Sequence, residues 1–302
     1  MPEQPDVQLP SDGSSEIPRE SARAILFQFV VFPLGVVAIG VAIFLLFGLM
    51  ASERHETTDY VNEIRSGSSH QRWQAAYQLS KSLKRGEARN NPELQNQVAA
   101  LYSRSKDDDP KVRRYLSMVL GRIGDRRSTP LLLDGLKDRD TETRIYALLA
   151  LGELQDPTAV PAILALTNDD EPDIRKSAIY ALGAIGDPSA IPALVEGMSD
   201  QVADVRWNAS LALSRFGDRR SLAGLREMLD RRRVAAVPNV RERQKDETMI
   251  AAMAAWARLS GREGVAELRA INASDPSMRV RSAAASAIQQ VEGTEPGARN
   301  AE

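Results

Sequence analysis

The chain has 302 residues, with 39 basic side chains against 41 acidic ones, two histidines and no cysteine. This near balance of charge gives no support to nucleic-acid binding by the chain as a whole, and nucleic acid is not expected as a partner. The lack of cysteine excludes disulfides, thiolate metal sites, iron–sulfur clusters and cysteine nucleophiles.

The first 57 residues are a polar tail followed by an apolar run. Residues 1–23 hold four prolines among serines and acids, which predicts a disordered tail. Residues 24–50 carry no charge, and about 20 apolar residues suffice to cross a bilayer as a helix. A cleaved signal peptide has a shorter apolar run, and a buried core helix has no core to enter here. The sequence therefore predicts a transmembrane helix over 24–50 and a juxtamembrane linker over 51–57.

The predicted localisation is a single-pass membrane protein. Basic residues are equally numerous near the two ends of the apolar run, so the positive-inside rule does not settle the orientation. Arg23, directly beside the run, slightly favours a repeat domain outside the cytoplasm.

One sequence motif, which contains an arginine, recurs every 31 residues, at Arg113, Arg144, Arg175 and Arg206. A period of 20–50 residues indicates a stacked array in which no unit buries its apolar face alone. Related phrases around Arg72, Met249 and Arg281 extend the array to seven helix pairs over residues 58–291. The spacing requires extra residues between Lys84 and Asn91 and a basic inserted loop over 231–245. Residues 292–302 are predicted to form a second disordered tail.

Each unit is predicted to contain two helices. The second helix starts after an acidic residue and a proline, as in Asp170-Glu171-Pro172, because aspartate caps free N–H groups and proline suits a first turn. Gly183 and Gly186 are predicted to end that helix. Pro130, Pro161 and Pro192 are placed in the first turns of the short helices that follow. We expect the repeated arginines to bridge acids and helix-end carbonyls between units, rather than to form a ligand site.

The segment from Asp173-Ile174-Arg175 to Asp187-Pro188 resembles HEAT repeats of the bacterial kind also found in phycobilisome lyase subunits. Their pattern is D-x-x-V-R-x-x-A-x-x-A-L-G-x-I-G-D-P. The resemblance implies an all-α fold: an α-solenoid of about seven HEAT-like helix pairs preceded by one transmembrane helix. It does not imply an activity, because one fold hosts many functions.

No catalytic, cofactor or metal site is predicted, and the protein is not expected to be an enzyme. The sequences of iron-dependent hydroxylases of this architecture contain several His-Glu pairs. This chain has the single pair His55-Glu56, beside the apolar run. A metal site needs three or four convergent ligands. No phosphate-binding loop or nucleophile elbow occurs.

Apolar and aromatic residues stand one, two and five positions after the repeat arginines, where the family pattern usually has polar or small ones. They include Trp73 and Tyr77, and the predicted partner-binding stripe is centred on Tyr115, Met118, Tyr146, Leu149, Tyr180, Trp207 and Leu211. Tyrosine, tryptophan and methionine commonly anchor interfaces. Extra packing between repeats is the alternative, and the sequence leaves it open.

The insertion contains six basic residues and one acid, and Arg231, Arg232 and Arg233 are the candidates for contact with anionic lipid or an acidic partner. A solvated loop is the alternative.

Taken together, these features predict a membrane-tethered protein–protein interaction scaffold, a subunit or assembly factor of a membrane-associated complex. This scaffold would need no cofactor and would bind a protein partner. Residues 24–50 would anchor it in the membrane. The alternative is an accessory subunit of a lyase-like enzyme acting on a chromophore or protein. The lyase subunits work in pairs without an anchor, and this chain departs from that pattern.

Overall fold

The computed structural model describes residues 27, 31–51, 57–86, 88–238 and 241–293. The chain divides into two compact units, Met1–His55 and Glu56–Glu302. The predicted tail 1–23 and residues 294–302 of the predicted tail 292–302 lie outside the described residues, as does the His55-Glu56 pair, whereas Glu292 is the last residue of a helix.

The first unit contains one described helix, α1 (Phe32–Ala51). α1 begins one residue before Pro33, whose fixed φ suits a first turn. Residues 24–26 and 28–30 of that span lie outside the described residues. None of the helices in the described part combines the length and apolar character needed to cross a bilayer. The prediction of a transmembrane helix is thus not supported, and the predicted single-pass membrane localisation is contradicted.

The second unit is a stack of helix pairs, and the elements in its described part are all helical. The seven pairs are α2 (Thr57–Ser66) with α3 (Ser69–Ser82), α4 (Pro92–Arg104) with α5 (Pro110–Ile123), α6 (Thr129–Gly135) with α7 (Thr141–Leu154), α8 (Val160–Leu164) with α9 (Pro172–Ile185), α10 (Ile191–Gly197) with α11 (Ala203–Arg215), α12 (Leu222–Leu229) with α14 (Glu242–Ser260), and α15 (Val265–Ser274) with α16 (Met278–Glu292). A short helix, α13 (Arg231–Ala235), stands between α12 and α14. These bounds agree with the predicted array of seven pairs.

Aspartates set the turns between pairs. Asp125, Asp156, Asp187 and Asp218, each 31 residues apart, accept a hydrogen bond from the backbone N–H two residues later and start a short 3-10 turn. Pro130, Pro161 and Pro192 lie at the starts of the following helices, as predicted. These local signals repeat, so the chain reverses direction in the same way in each unit.

Glycines inside the second helices let neighbouring pairs approach closely. A Cβ on Gly121 would lie 2.9 Å from Ala150 Cα, and one on Gly152 would lie 3.1 Å from Ala181 Cα. Gly183 has the same role against Ala212 and lies inside α9, so the prediction that it ends the helix was wrong. Gly186 ends α9 as predicted, with a left-handed φ of 78°.

The stack contains two hydrophobic clusters that meet at α11. One extends from Val61 to Leu213, and the other from Trp207 to Ala287. All of their residues belong to the second unit, which therefore holds its own core. The helices on both sides of the insertion, α12 and α14, belong to the second cluster. The predicted inserted loop 231–245 is largely helical, because α13 and the start of α14 occupy most of it.

Candidate functional site

The repeat arginines form ion pairs and backbone contacts between helix pairs. Arg175 Nε and Nη2 donate to Asp200 Oδ2 and Oδ1 over 2.7 and 3.0 Å. Its Nη1 donates to the carbonyls of Asp169 and Asp170. Arg144 lies 3.4 Å from Asp169, so this link repeats in the preceding unit. The arginines thus hold neighbouring units together, as expected for the array.

The second helix pair varies this arrangement. Arg113, 3% exposed, pairs with Asp134 and Asp138 and lies 4.4 Å from the centre of the Tyr102 ring. The next residue, Arg114, makes the two-point pair with Asp140, over 2.8 and 2.6 Å. This pair and the hydrogen bonds from Thr143 lower the pKa of Asp140 to about 2 despite partial burial. Asp140 therefore carries its charge throughout the physiological pH range.

The predicted stripe does not form one exposed surface. Tyr115, Met118, Tyr146, Leu149 and Leu211 are half-buried, and Tyr180 is 39% exposed. Trp207 is only 5% exposed and belongs to the second hydrophobic cluster. Its Nε1 donates to Glu227 Oε2 over 3.1 Å. At Trp207 the side chain is thus part of the packing between repeats, the alternative that the sequence left open.

The aromatic side chains of the first three second helices do meet. Tyr115 on α5 lies 6.4 Å from Trp73 and 5.1 Å from Tyr77 of α3, measured between ring centres. On its other side it packs edge-to-face on Tyr146 of α7 at 5.8 Å. We call Trp73, Tyr77, Tyr115 and Tyr146 the aromatic row. All four are half-buried, so the row is a continuous, partly exposed apolar surface across three helix pairs.

Two lysines border the aromatic row. The Nζ of Lys81 lies 4.9 Å from the Tyr77 ring centre and donates to its hydroxyl, and Lys111 Nζ lies 5.1 Å from the Trp73 ring centre. His70 packs edge-to-face on Trp73 at 5.2 Å. The sequence reasoning missed these three residues. Lys81 and His70 are one turn from a row aromatic on α3, a spacing that could have drawn attention to them.

Burial raises the pKa of Tyr146 above its ordinary value, because desolvation disfavours the phenolate. The hydroxyl of Tyr146 also forms a hydrogen bond with Tyr115, so the two tyrosines are joined by a polar contact within the otherwise apolar row.

The basic insertion does not present three free arginines. Arg231 donates to both carboxylate oxygens of Asp275 over 2.8 Å and to Asp246 over 2.6 Å, and the Asp275 side chain is 4% exposed. Arg231 is thus a structural link to the last pair, and the prediction of an anionic contact there is corrected. Arg233 is exposed but pairs with Glu227 at 3.0 Å. Arg232 is exposed, and the prediction for it stays untested.

Two cavities of about 520 Å³ each lie away from the aromatic row. One is lined by residues that form the ion pairs between helix pairs, among them Asp169, Arg175 and Asp200, and by the loops beside them. The other lies beside Trp207 and Val237. Within the described residues, no three histidine, aspartate or glutamate side chains are grouped to hold a metal ion. The absence of enzymatic activity remains a prediction.

Comparisons with known proteins agree on the fold. Residues 98–182 and 160–243 match the family model described as HEAT repeats. Among curated protein sequences, none matches the chain. Solved structures that are similar to the chain include three at 17–18% identity, of which the first has a TM-score above 0.5 and carries information about the fold alone.

The first is a chain from the complex of CpcE and CpcF of phycocyanin lyase from a Nostoc species, at 18% identity, covering 80% of this chain and 96% of that one, with a TM-score of 0.53. The second is human deoxyhypusine hydroxylase in complex with glycerol, at 18% identity, 82% and 99% coverage and a TM-score of 0.33. The third is an engineered protein, at 17% identity, 78% and 96% coverage and a TM-score of 0.40. Residues 98–243 thus match HEAT repeats, and the described part of the second unit is a helical solenoid of stacked helix pairs.

Proposed function

We propose that this chain is a protein-binding scaffold whose recognition surface is the aromatic row. The observation that carries the proposal is the position of Tyr115, which contacts Trp73, Tyr77 and Tyr146 and leaves one half-exposed apolar surface across three units. Contiguous apolar surface on a protein is a liability unless a partner covers it. Tyrosine and tryptophan are also the residue types enriched in binding hot spots.

The chain acts in this proposal by binding, and no catalytic step is assigned to it. A narrower form of the same proposal is an accessory subunit that presents a protein or a chromophore to an enzyme. Its support is the likeness in fold to a chain of the phycocyanin lyase complex, which extends over most of both chains. Both forms require a protein partner, so one experiment addresses both.

The test is site-specific photo-crosslinking in cells that express the protein. A benzophenone amino acid replaces Tyr77 or Tyr146 in the row, and in the matched control it replaces Tyr180, an aromatic on α9 outside the row. We expect discrete adducts with another protein from both row positions and few from the control. Adducts only within the chain itself, or the same adducts from all three positions, would overturn the proposal. A visible absorption band in the adduct would favour the accessory-subunit form.

Adding Tyr115→Ala to the crosslinking variants provides the second arm. Tyr115 is the central ring of the row, so its loss should reduce the adducts at least several-fold if the row is the binding surface. Circular dichroism of the same variant shows whether the solenoid remains folded.

A further inference from the structure

We infer that the aromatic row binds an extended, acidic, proline-containing segment of the partner in the polyproline II conformation. This inference rests on the proposed function and adds the chemistry of the partner. It depends on three properties of the row: its length, its hydrogen-bonding groups and the charge at its borders.

The length of the row fits a short extended peptide. The row crosses α3, α5 and α7, and the close contact of Gly121 with Ala150 places α5 and α7 at the near end of helix-packing distances, about 8 Å between axes. A polyproline II helix advances about 9 Å per turn of three residues. One peptide turn therefore matches the step from one second helix to the next, and about six residues would cover the row.

The rings offer both apolar contact and hydrogen bonding. Edge-to-face packing at 5.1 and 5.8 Å turns successive rings through steep angles, so the surface alternates between ring faces and ring edges. Proline rings pack on such aromatic surfaces. The carbonyls of a polyproline II segment have no internal partners, so they can accept hydrogen bonds from the ammonium groups of Lys81 and Lys111 beside the rings.

The border of the row is positively charged at Trp73 and Tyr77, whereas the carboxylate of Glu142 lies near Tyr146 at the other end. Lys81 and Lys111 lie over Tyr77 and Trp73, and within the described part of the chain neither ammonium forms an ion pair with a carboxylate. Arg114, the other nearby cation, is already neutralised by Asp140. An ammonium has three donors, so both lysines can bind a carboxylate while they remain near the rings. The segment that complements this surface carries aspartate or glutamate between its prolines.

A single-stranded nucleic acid fits the same surface less well. An oligonucleotide brings a phosphate with every base, whereas among the described residues Lys81 and Lys111 are the two cations at the row that form no ion pair with a carboxylate. We therefore favour the peptide and keep the oligonucleotide as an arm of the test.

The experiment measures binding to the full chain by isothermal titration calorimetry. The probe is a synthetic peptide of four Pro-Pro-Glu repeats. The comparison probes are four Pro-Pro-Lys repeats, which reverse the charge, four Gly-Ser-Glu repeats, which keep the charge without the conformation, and an oligothymidylate of twelve nucleotides. We expect the Pro-Pro-Glu peptide to bind at least ten-fold more tightly than each of the others.

The variants locate the site. Exchanging both border lysines, Lys81→Glu with Lys111→Glu, should weaken the Pro-Pro-Glu peptide at least ten-fold without unfolding the protein, because both ammoniums are at the surface. Tyr115→Ala should do the same, whereas the matched control Tyr180→Ala should change the affinity less than two-fold. Equal binding of the Pro-Pro-Glu and Gly-Ser-Glu peptides, tighter binding of the oligonucleotide, or an equal loss in Tyr180→Ala would overturn the inference. If the Pro-Pro-Glu peptide does not bind while crosslinks from Tyr77 and Tyr146 are still formed, the inference about the peptide is wrong and the proposed function stands. If the crosslinks are also absent, the proposed function is wrong as well.

Discussion

Arg175 and Asp200 form a two-point ion pair across the boundary between two helix pairs, with distances of 2.7 and 3.0 Å. The same spacing of 25 residues joins Arg144 to Asp169. One unit later the aspartate position is occupied by Arg231, so Arg206 has Glu227 at 3.6 Å instead. Arg231 itself pairs forward with Asp246 and Asp275. The ion pairing between helix pairs therefore changes its spacing at the insertion.

The first prediction concerns acid stability. The pKa of Asp140 is lowered to about 2, chiefly by the hydrogen bonds from Arg114. A carboxyl whose pKa is depressed in the folded state stabilises the fold above its unfolded pKa of about 4, and this contribution is lost as the pH falls towards 2. We expect the melting temperature to decline between pH 4 and pH 2. Asp140→Asn should cost on the order of 1 kcal/mol at pH 7.

Thermal melts of both proteins at several pH values provide the measurement. The melting curves of the wild type and of Asp140→Asn should converge near pH 2, because the wild-type carboxyl is protonated there as well. A gap that stays constant from pH 7 to pH 2 would show that the charge of Asp140 does not contribute.

The second prediction concerns the close contact between α5 and α7. Gly121→Ala places a methyl 2.9 Å from the Ala150 backbone, so the two helices must separate. The loss of packing should exceed the gain in helix propensity, so the free energy of unfolding measured in urea should fall by about 1–3 kcal/mol. The matched control is Ser214→Ala, at the equivalent position of α11, which already holds a Cβ. An equal effect of the two substitutions would rule out close packing as the cause.

The third prediction separates packing from recognition at Trp207. This side chain is 5% exposed and bonded to Glu227, so Trp207→Ala should lower the free energy of unfolding by about 3–5 kcal/mol. Tyr180→Ala, at a side chain 39% exposed, should change it by about 0.5 kcal/mol or less. Denaturant titrations of the two variants test this, and a stable Trp207→Ala protein would show that the side chain is free for a partner.

The fourth prediction concerns Arg231. Removing its guanidinium leaves Asp275, with a side chain 4% exposed, without its two-point partner. Breaking such a pair costs about 3–5 kcal/mol, so Arg231→Ala should unfold at much lower denaturant concentration than the wild type. Arg232→Ala, one residue away and exposed, is the control and should be near neutral. Similar midpoints for the two variants would contradict a structural role for Arg231.

The aromatic row was only partly predictable from the sequence. The 31-residue register places Tyr115 and Tyr146 at the same position of successive second helices, so their contact follows from the period. The step from Tyr115 back to Trp73 and Tyr77 contains extra residues, and the sequence alone does not say whether a longer turn preserves the stacking. In the structure α3 packs directly on α5, and the three rings meet.

The sequence by itself determined the helices, their caps and the period of the array, because these depend on signals that are local and repeated: aspartate caps, prolines in first turns and arginines every 31 residues. Tertiary structure decided which of the aromatic side chains on the second helices are covered. Trp207 is buried because it packs in the second hydrophobic cluster and donates to Glu227 of α12, whereas Tyr180 is 39% exposed. It also decided that Arg231 pairs with Asp275, 44 residues away, since side-chain burial and ion pairing depend on which neighbour the fold brings into contact.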